Sequence, residues 1–226
     1  MVQLTIMIPT YNEEGNIREC IQKIPKLPWT TELLVVDNSK DRTPEIVRGM
    51  MKRMKNLRMV HYLPPQGKGH AMRAGIKAAK GDVFAICDVD MDPKELVRVI
   101  KPIFENKADF VTGTRLNRRM EKGAMSFTHK VGNLAFGLMV GFLARKFLTD
   151  AYCGFKAWRT KMLPVSLLHE NSWPDFELLV RARKRGMRIM EVPIRYTARK
   201  SGEAKMQTIR HGIQSMGMIL KLAMGK

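Results

Sequence analysis

Val83-Phe-Ala-Ile-Cys-Asp-Val-Asp-Met-Asp92, followed at once by Pro93-Lys-Glu-Leu96, is the stretch on which the reading of this chain turns. An apolar strand ends in acids at Asp88, Asp90 and Asp92, and a helix begins. Two readings fit the acids. Asp92 suits the cap of the helix that Pro93 opens. Closely spaced carboxylates at a strand mouth also suit Mg²⁺ or Mn²⁺, which take hard oxygen ligands and keep some of their water. The turn reading accounts comfortably for Asp92 alone. It accounts less well for Asp88 and Asp90, since an unpaired carboxylate directly after so apolar a run is costly if buried.

Outward from this strand the same pattern repeats. Strands are expected at Leu4 to Pro9, Glu32 to Asp37, Leu57 to Tyr62, Val83 to Asp88 and Phe110 to Thr114. Helices are expected between them, near Glu14 to Ile24, Pro44 to Met54, Gly69 to Ala79 and Lys94 to Asn106. Such alternation predicts an α/β fold with a mostly parallel sheet flanked by helices on both faces. In sheets of this kind ligands sit at the carboxyl ends of the strands, where the strand order reverses.

The strand ends therefore belong together. They read Pro9-Thr-Tyr-Asn-Glu-Glu14, Val35-Val-Asp-Asn-Ser39, Asp88-Val-Asp90 and Gly113-Thr-Arg115. Taken singly, Asn12-Glu13-Glu14 also reads as a helix start and Asp37-Asn38 as a turn. Gly67-Lys-Gly69 either cradles phosphate or makes a tight turn with close helix packing, the second being the expected role. The spacing of a Walker A loop is absent, and so is a Gly-x-Gly-x-x-Gly after the first strand.

Composition limits the partners. Lys and Arg number 40 against 21 Asp and Glu, a formal charge of +19 that calls for an anionic partner: nucleic acid, membrane surface or phosphorylated substrate. Cys20, Cys87 and Cys153 are widely spaced, so reduced thiols in a cytoplasmic setting are the expectation. No secretion signal is expected at the N-terminus. The longest charge-free apolar stretch, between Lys130 and Arg145, holds 14 residues, short of the roughly 20 a membrane-spanning helix requires. From Arg195 onward seven basic residues face one acid, Glu203, while Met206, Ile209, Ile213, Met216 and Leu220 recur at helical spacing. This basic amphipathic helix, and the segment Phe127 to Leu148, either pack on the sheet or lie in a membrane interface. Helix-turn-helix cues, zinc spacing and RNP-like aromatic motifs are missing, so a basic nucleic-acid-binding protein is the rival class and no nucleic acid is expected as a partner.

Together the motifs resemble the inverting family 2 glycosyltransferases, whose nucleotide-sugar domain is the GT-A fold. Downstream, Asp150-Ala-Tyr-Cys-Gly-Phe-Lys-Ala-Trp-Arg159, Glu191-Val-Pro-Ile194 and Arg199-Lys-Ser-Gly-Glu-Ala-Lys205 resemble the dolichol-phosphate mannose synthase branch. The resemblance covers essentially the whole chain, with the motifs in order. It implies a GT-A domain over residues 1–200, divided into a nucleotide-binding half (1–115) and an acceptor half (116–200), followed by the basic helix of 201–226.

The resemblance further implies that Pro9, Tyr11, Glu13, Val35 and Asp37 contact the nucleoside, and that Lys68, Asp88, Val89 and Asp90 serve the donor. Asp90 would be the principal metal ligand, with Asp88 and Asp92 beside it. Asp92 stands where the family usually has Gln. The second-strand loop, Asp37-Asn-Ser-Lys-Asp41, is one residue shorter than the family's pattern and lacks its glycine. Arg115, His129 or Lys130, Arg199 and Lys205 would bind the acceptor's phosphate. His129 matches the family's spacing, and Lys130 carries the permanent charge. The implied reaction is metal-dependent transfer of a hexose, mannose from GDP-mannose, to a polyprenyl (dolichyl) phosphate. A UDP-sugar is the alternative donor, with a lipid phosphate or a glycan hydroxyl as acceptor. A lipid phosphate is already an anion and requires no strong base, whereas a hydroxyl acceptor does, for which Asp150 and then Glu177 are the candidates. The setting implied is the cytoplasmic face of a membrane, by peripheral contact, with a separate anchoring subunit among the partners.

Overall fold

A computed structural model describes residues 1–172, 174–197 and 208–224. The expected alternation is present: β1 (Leu4–Thr10), α1 (Ile17–Lys23), β2 (Thr31–Asp37), α2 (Thr43–Met51), β3 (Leu57–His61), α3 (Lys68–Ala78), β4 (Val83–Cys87), α4 (Leu96–Phe104) and β5 (Phe110–Thr114). Then follow α5 (Phe127–Leu143), β6 (Phe155–Arg159), α6 (Pro174–Lys184), β7 (Ile189–Pro193) and α7 (Thr208–Ala223).

One seven-stranded sheet has the order β3-β2-β1-β4-β6-β5-β7. Every neighbouring pair is parallel except those made by β6, which runs antiparallel between β4 and β5. The chain moves outward from β1 to β3 and then returns to place β4 on the other side of β1. The switch point, where such sheets bind ligands, thus lies between the ends of β1 and β4.

Successive side chains of a strand point to opposite faces, and the core divides accordingly. Met7, Leu34, Val36, Phe84, Ile86, Phe110 and Trp158 meet α3, α5, α6 and α7 on one face. Ile6, Ile8, Leu33, Val35, Ala85, Cys87, Val111 and Phe155 meet α1, α2 and α4 on the other. The inner side of α7 belongs to the first core through Met218, Ile219 and Leu222.

Two expected helices begin later than their sequence suggests. α1 starts at Ile17, because Asn12 takes a positive φ of 54° and the Glu13 carbonyl accepts from both Asn16 and Ile17. In place of the expected start at Lys94, Pro93–Glu95 form a 3₁₀ turn and α4 follows.

Candidate active site

The carboxyl ends of β1 and β2 are tied together before any ligand is considered. Asp37 is buried completely: its Oδ1 accepts from Thr10 Oγ1 and Ser39 Oγ, each at 2.6 Å, and its Oδ2 lies 2.7 Å from His61 Nδ1. Asn12 N–H donates to Ser39 Oγ at 2.8 Å, Glu13 N–H to Thr43 Oγ1 at 2.9 Å and Lys40 N–H to Asn12 Oδ1 at 3.0 Å. These cross-links fix one side of the switch point, the place where sheets of this kind open a cleft for ligands. Tyr11 stands at its edge, 45% exposed, with Pro9 and Glu13 partly exposed beside it. Val35, expected at the nucleoside, lies wholly within the core, and Asp37 at the end of β2 is enclosed by its own hydrogen-bond partners. Sequence reasoning missed Tyr62 and His70, whose rings sit 4.8 Å apart at the end of β3 and the start of α3, with Asn38 Nδ2 3.5 Å from the Tyr62 hydroxyl. Two aromatic side chains flanking the Gly67 loop were the available signal.

That loop is packed, as its glycines suggest. Gly67 has φ +91°, and the Gly69 N–H donates to Asn171 O at 2.7 Å, so close that a Cβ on Gly69 would lie 1.9 Å from Glu170 O. The arrangement delivers Lys68 to the end of β4, where its Nζ lies 2.7 Å from Asp88 Oδ2 and 3.8 Å from Asp175 Oδ2. Asp175 is held in turn by Lys156, at 2.7 Å. Lys156 is buried and also donates to the carbonyls of Ala151 and Cys153. A lysine in the middle of an apolar strand was the sequence signal for this chain of alternating charges, and it went unread.

Electrostatics follow from that packing. Burial raises the Asp88 carboxyl above the usual range, and Asp90 adds to the effect while Lys68 opposes it. For Lys68, burial acts to lower the pKa, but Asp175, Asp88 and Asp90 outweigh it and hold the ammonium firmly charged. Gly154 packs directly on this point, since a Cβ there would fall 2.4 Å from Asp88 Oδ2. Val89 is partly buried against the second core, and Asp90 is exposed.

Asp92 departs from the three-acid metal site. Its Oδ1 accepts from Lys94 N–H at 3.2 Å, capping the 3₁₀ turn. Among the described residues no three His, Cys, Asp or Glu side chains gather as a ready metal site. Asp88 and Asp90 nevertheless offer the hard oxygens a divalent cation prefers, beside a cleft from which phosphate and water can complete the shell.

At the end of β5, Arg115 donates Nε to Asp150 Oδ2 at 2.7 Å and Nη2 to Oδ1 at 2.9 Å. Its own N–H adds a third bond at 3.0 Å, and its guanidinium lies over the Tyr196 ring. Asp150 is fully buried; burial acts to raise its pKa, but Arg115 prevails and holds it below the usual range. Glu191 carries the backbone N–H groups of Thr149 and Asp150. Glu177 is likewise occupied, accepting from the N–H groups of His169 and Glu170. His129 and Lys130 lie partly buried in the first turn of α5, which Ser126 caps. Arg199 and Lys205 lie outside the described residues.

The profile of the family described as Glycosyl transferase family 2 matches residues 5–171, which hold six of the seven strands and the strand ends from Pro9 to Arg115. The chain belongs to glycosyl transferase family 2. Relatives of this glycosyltransferase align along nine tenths or more of the chain. It is 32% identical over 223 residues to a dolichyl-phosphate hexose transferase of Haloferax volcanii, covering 98% of this chain and 94% of that protein. It is 27% identical over 241 residues to a UDP-N-acetylglucosamine–dolichyl-phosphate N-acetylglucosaminyltransferase of Methanococcus voltae, covering 98% and 96%. A dolichyl-phosphate beta-glucosyltransferase of Trichomonas vaginalis is 29% identical over 225 residues, covering 90% and 68%. Among solved structures, glucosyl-3-phosphoglycerate synthase from Mycobacterium tuberculosis, in complex with Mn²⁺ and UDP, aligns with a TM-score of 0.71 at 20% identity over 98% of this chain and 78% of that one. That likeness shows the fold, and the glycosyltransferase here has the GT-A architecture.

Proposed function

We propose that this glycosyltransferase moves a hexose from a nucleotide sugar to the phosphate of a polyprenyl lipid of the dolichyl type, with inversion at the anomeric carbon. The observation that carries the reading is the state of Asp150. Both of its oxygens are taken by Arg115, it is sealed from water, and its pKa is held down. A carboxylate so placed is a poor proton acceptor. The second base candidate, Glu177, is spent on backbone N–H groups. A nucleophile that is already an anion fits such a site, and a sugar hydroxyl does not. The dolichyl phosphate named for three relatives supports the same acceptor.

Pro9, Tyr11 and Glu13, with Asn38 and Tyr62 on the neighbouring strand ends, would hold the nucleoside. Asp88 and Asp90 would hold Mg²⁺ or Mn²⁺, which when bound supplies the positive charge that stabilises a departing diphosphate. Lys68 would add a second cation on the same side. Arg115 would offer the acceptor phosphate the part of its guanidinium that Asp150 does not take, and His129 or Lys130 at the start of α5 would meet the same phosphate. GDP-mannose is the donor the motifs imply. UDP-glucose and UDP-N-acetylglucosamine are the rivals, favoured by the glucosyl and N-acetylglucosaminyl groups that two of the relatives are named for transferring.

The acceptor reading places the protein on the cytoplasmic face of a membrane, in peripheral contact. No helix among the described residues is long and apolar enough to cross a bilayer. Instead α5 exposes Phe127, Val131, Leu134, Leu138 and Phe142 along one side, with Phe147 just beyond, and α7 exposes Ile213, Met216 and Leu220. Neither Phe127 to Leu148 nor Thr208 to Met224 contains an acid, while Lys130, Arg145, Lys146 and Lys221 lie among the apolar side chains. Apolar stripes edged only by cations match an anionic lipid surface and disfavour self-association of a +19 chain. Contact of this kind is reversible, which leaves a role for a separate anchoring subunit.

The deciding experiment incubates the purified protein with Mn²⁺, a polyprenyl phosphate and a panel of labelled nucleotide sugars. Label should enter lipid with one donor. Transfer to water or to a glycan hydroxyl alone would refute the acceptor.

A further inference from the structure

The carboxylate expected to meet the metal is already answered by a cation of the chain itself. Lys68 Nζ lies 2.7 Å from Asp88 Oδ2, with Asp175 Oδ2 at 3.8 Å on its other side. Asp175 does not depend on Lys68 for compensation. Its other oxygen is held at 2.7 Å by Lys156, which two backbone carbonyls fix in place. Removing the Lys68 ammonium would therefore leave Lys156 and Asp175 as a closed pair and strip Asp88 of its cation. Asp88, with Asp90 two residues on, would then be a net negative site at the mouth of β4.

Lys68 is also the member of this cluster built to move. Lys156 is 1% exposed and pinned within β6, whereas Lys68 is the first residue of α3, with a side chain 24% exposed on a flexible four-carbon stem. An ammonium is a compact point charge that binds phosphate as readily as carboxylate. Phosphates arriving at the cleft would offer it a richer partner than Asp88.

We infer that Lys68 is a resident stand-in for the divalent cation: without donor its ammonium neutralises Asp88, and a nucleoside diphosphate draws it onto phosphate and opens Asp88 and Asp90 to the metal. Metal and nucleotide then bind cooperatively, and the site stays poor in free metal until a donor is present. This rests on the metal-dependent donor reading given above. Coupling of this kind is reciprocal, so the metal tightens the nucleotide by the same factor.

The test is binding rather than turnover. Mn²⁺ is titrated into the full chain, alone and with saturating GDP or UDP, and free Mn²⁺ is followed by its electron paramagnetic resonance signal. The wild type should bind Mn²⁺ at least about tenfold more tightly with the nucleotide than without it, within the usual range of such coupling. Lys68→Gln should bind Mn²⁺ several-fold more tightly than wild type when no nucleotide is present, with the coupling reduced by that same factor to what the phosphate's own contact with the metal supplies. Lys68→Met gives the same reading should the glutamine variant misfold, and Lys68→Arg, which keeps the charge, should remain as weak as wild type. The inference is overturned if neutral variants bind Mn²⁺ alone no better than wild type, or if wild type shows no coupling. Absence of Mn²⁺ binding even with nucleotide would remove the metal reading as well, an outcome distinct from binding without coupling.

Discussion

Arg115 and Asp150 form a two-point ion pair, Nε to Oδ2 at 2.7 Å and Nη2 to Oδ1 at 2.9 Å, that joins the end of β5 to the loop ahead of β6. Breaking one side leaves the other charge buried alone, at a cost of about 3–5 kcal/mol. Asp150→Ala and Arg115→Ala should therefore both lower stability by roughly that amount in urea denaturation. Asp150→Asn keeps the shape and one acceptor oxygen. Its transfer rate should fall by a factor that does not change with pH, since Asp150 is not the group that takes a proton. Loss in the variant of an acidic limb that the wild type shows would restore Asp150 as a base.

Asp90 and Asp92 look alike in sequence and should behave differently. Asp90 is exposed at the mouth of β4, so Asp90→Ala should abolish transfer with little change in melting temperature. Asp92 caps a turn, so Asp92→Ala should lose about 1 kcal/mol of stability and keep most of its activity. Parallel thermal melts and labelled-sugar transfer check both. Activity surviving in Asp90→Ala at every metal concentration would end its role as a ligand.

Gly154 offers a test that adds a single carbon. A Cβ there would sit 2.4 Å from Asp88 Oδ2, too near to be tolerated without moving that carboxylate. Gly154→Ala should thus reduce transfer at least about tenfold, an effect of roughly 1.4 kcal/mol on the barrier, and weaken Mn²⁺ binding in the presence of nucleotide. Wild-type Mn²⁺ affinity in this variant would show that Asp88 is not held in place by the glycine.

Much of this site was legible in the strand ends, because a parallel sheet brings the residues after β1, β2, β4 and β5 to one edge whatever the loops do between them. Local rules also gave Gly67-Lys-Gly69 as a packed turn, whereas Asp92 read equally as a cap and as a third metal ligand, a choice that only its bond to Lys94 N–H decides. The rest depends on contacts distant in sequence. Lys156 and Asp175 meet 19 residues apart, through an antiparallel strand that alternation alone does not announce. Val35 and Asp37 read as nucleoside contacts, yet one is core and the other is enclosed by Thr10, Ser39 and His61. Burial of that kind is decided by neighbouring strands, and a linear motif does not carry it.

The outward faces of α5 and α7 predict a membrane phenotype that can be separated from catalysis. Phe142 and Phe147 are 84% and 73% exposed and flank Arg145 and Lys146. Phe142→Asp with Phe147→Asp removes apolar contact and adds repulsion from anionic lipid, while touching nothing in the core. Binding to vesicles rich in phosphatidylserine should drop by at least about tenfold, since burying an aromatic side chain is worth about 1.5–3 kcal/mol. Transfer to a short, water-soluble prenyl phosphate should be unchanged. Equal loss with the soluble acceptor would place these residues in the acceptor site instead of at the lipid surface.

At the opposite edge of the sheet, acid should expose a purely structural pair. Asp109, just before β5, accepts from Arg188 Nε at 2.9 Å and Nη2 at 3.0 Å, and from Arg159 Nε at 3.3 Å, so that one carboxylate ties β5 to both β6 and β7. Hydrogen bonding to Arg188 is the main cause that brings its pKa down to about 2, against the partial opposition of burial. A carboxylate whose pKa is depressed by folding contributes stability above its unfolded value of about 3.9, and loses it as pH falls through the folded one. The contribution should thus be whole at pH 5 and fade between roughly pH 4 and pH 2. Asp109→Asn should be less stable by about 2 kcal/mol at pH 7, and the gap to wild type should close across that acid window. Because the pair sits at the amino end of β5, away from Arg115, transfer by the folded variant at neutral pH should match wild type. A gap that stays constant down to pH 2 would show that the ion pair is not what Asp109 contributes.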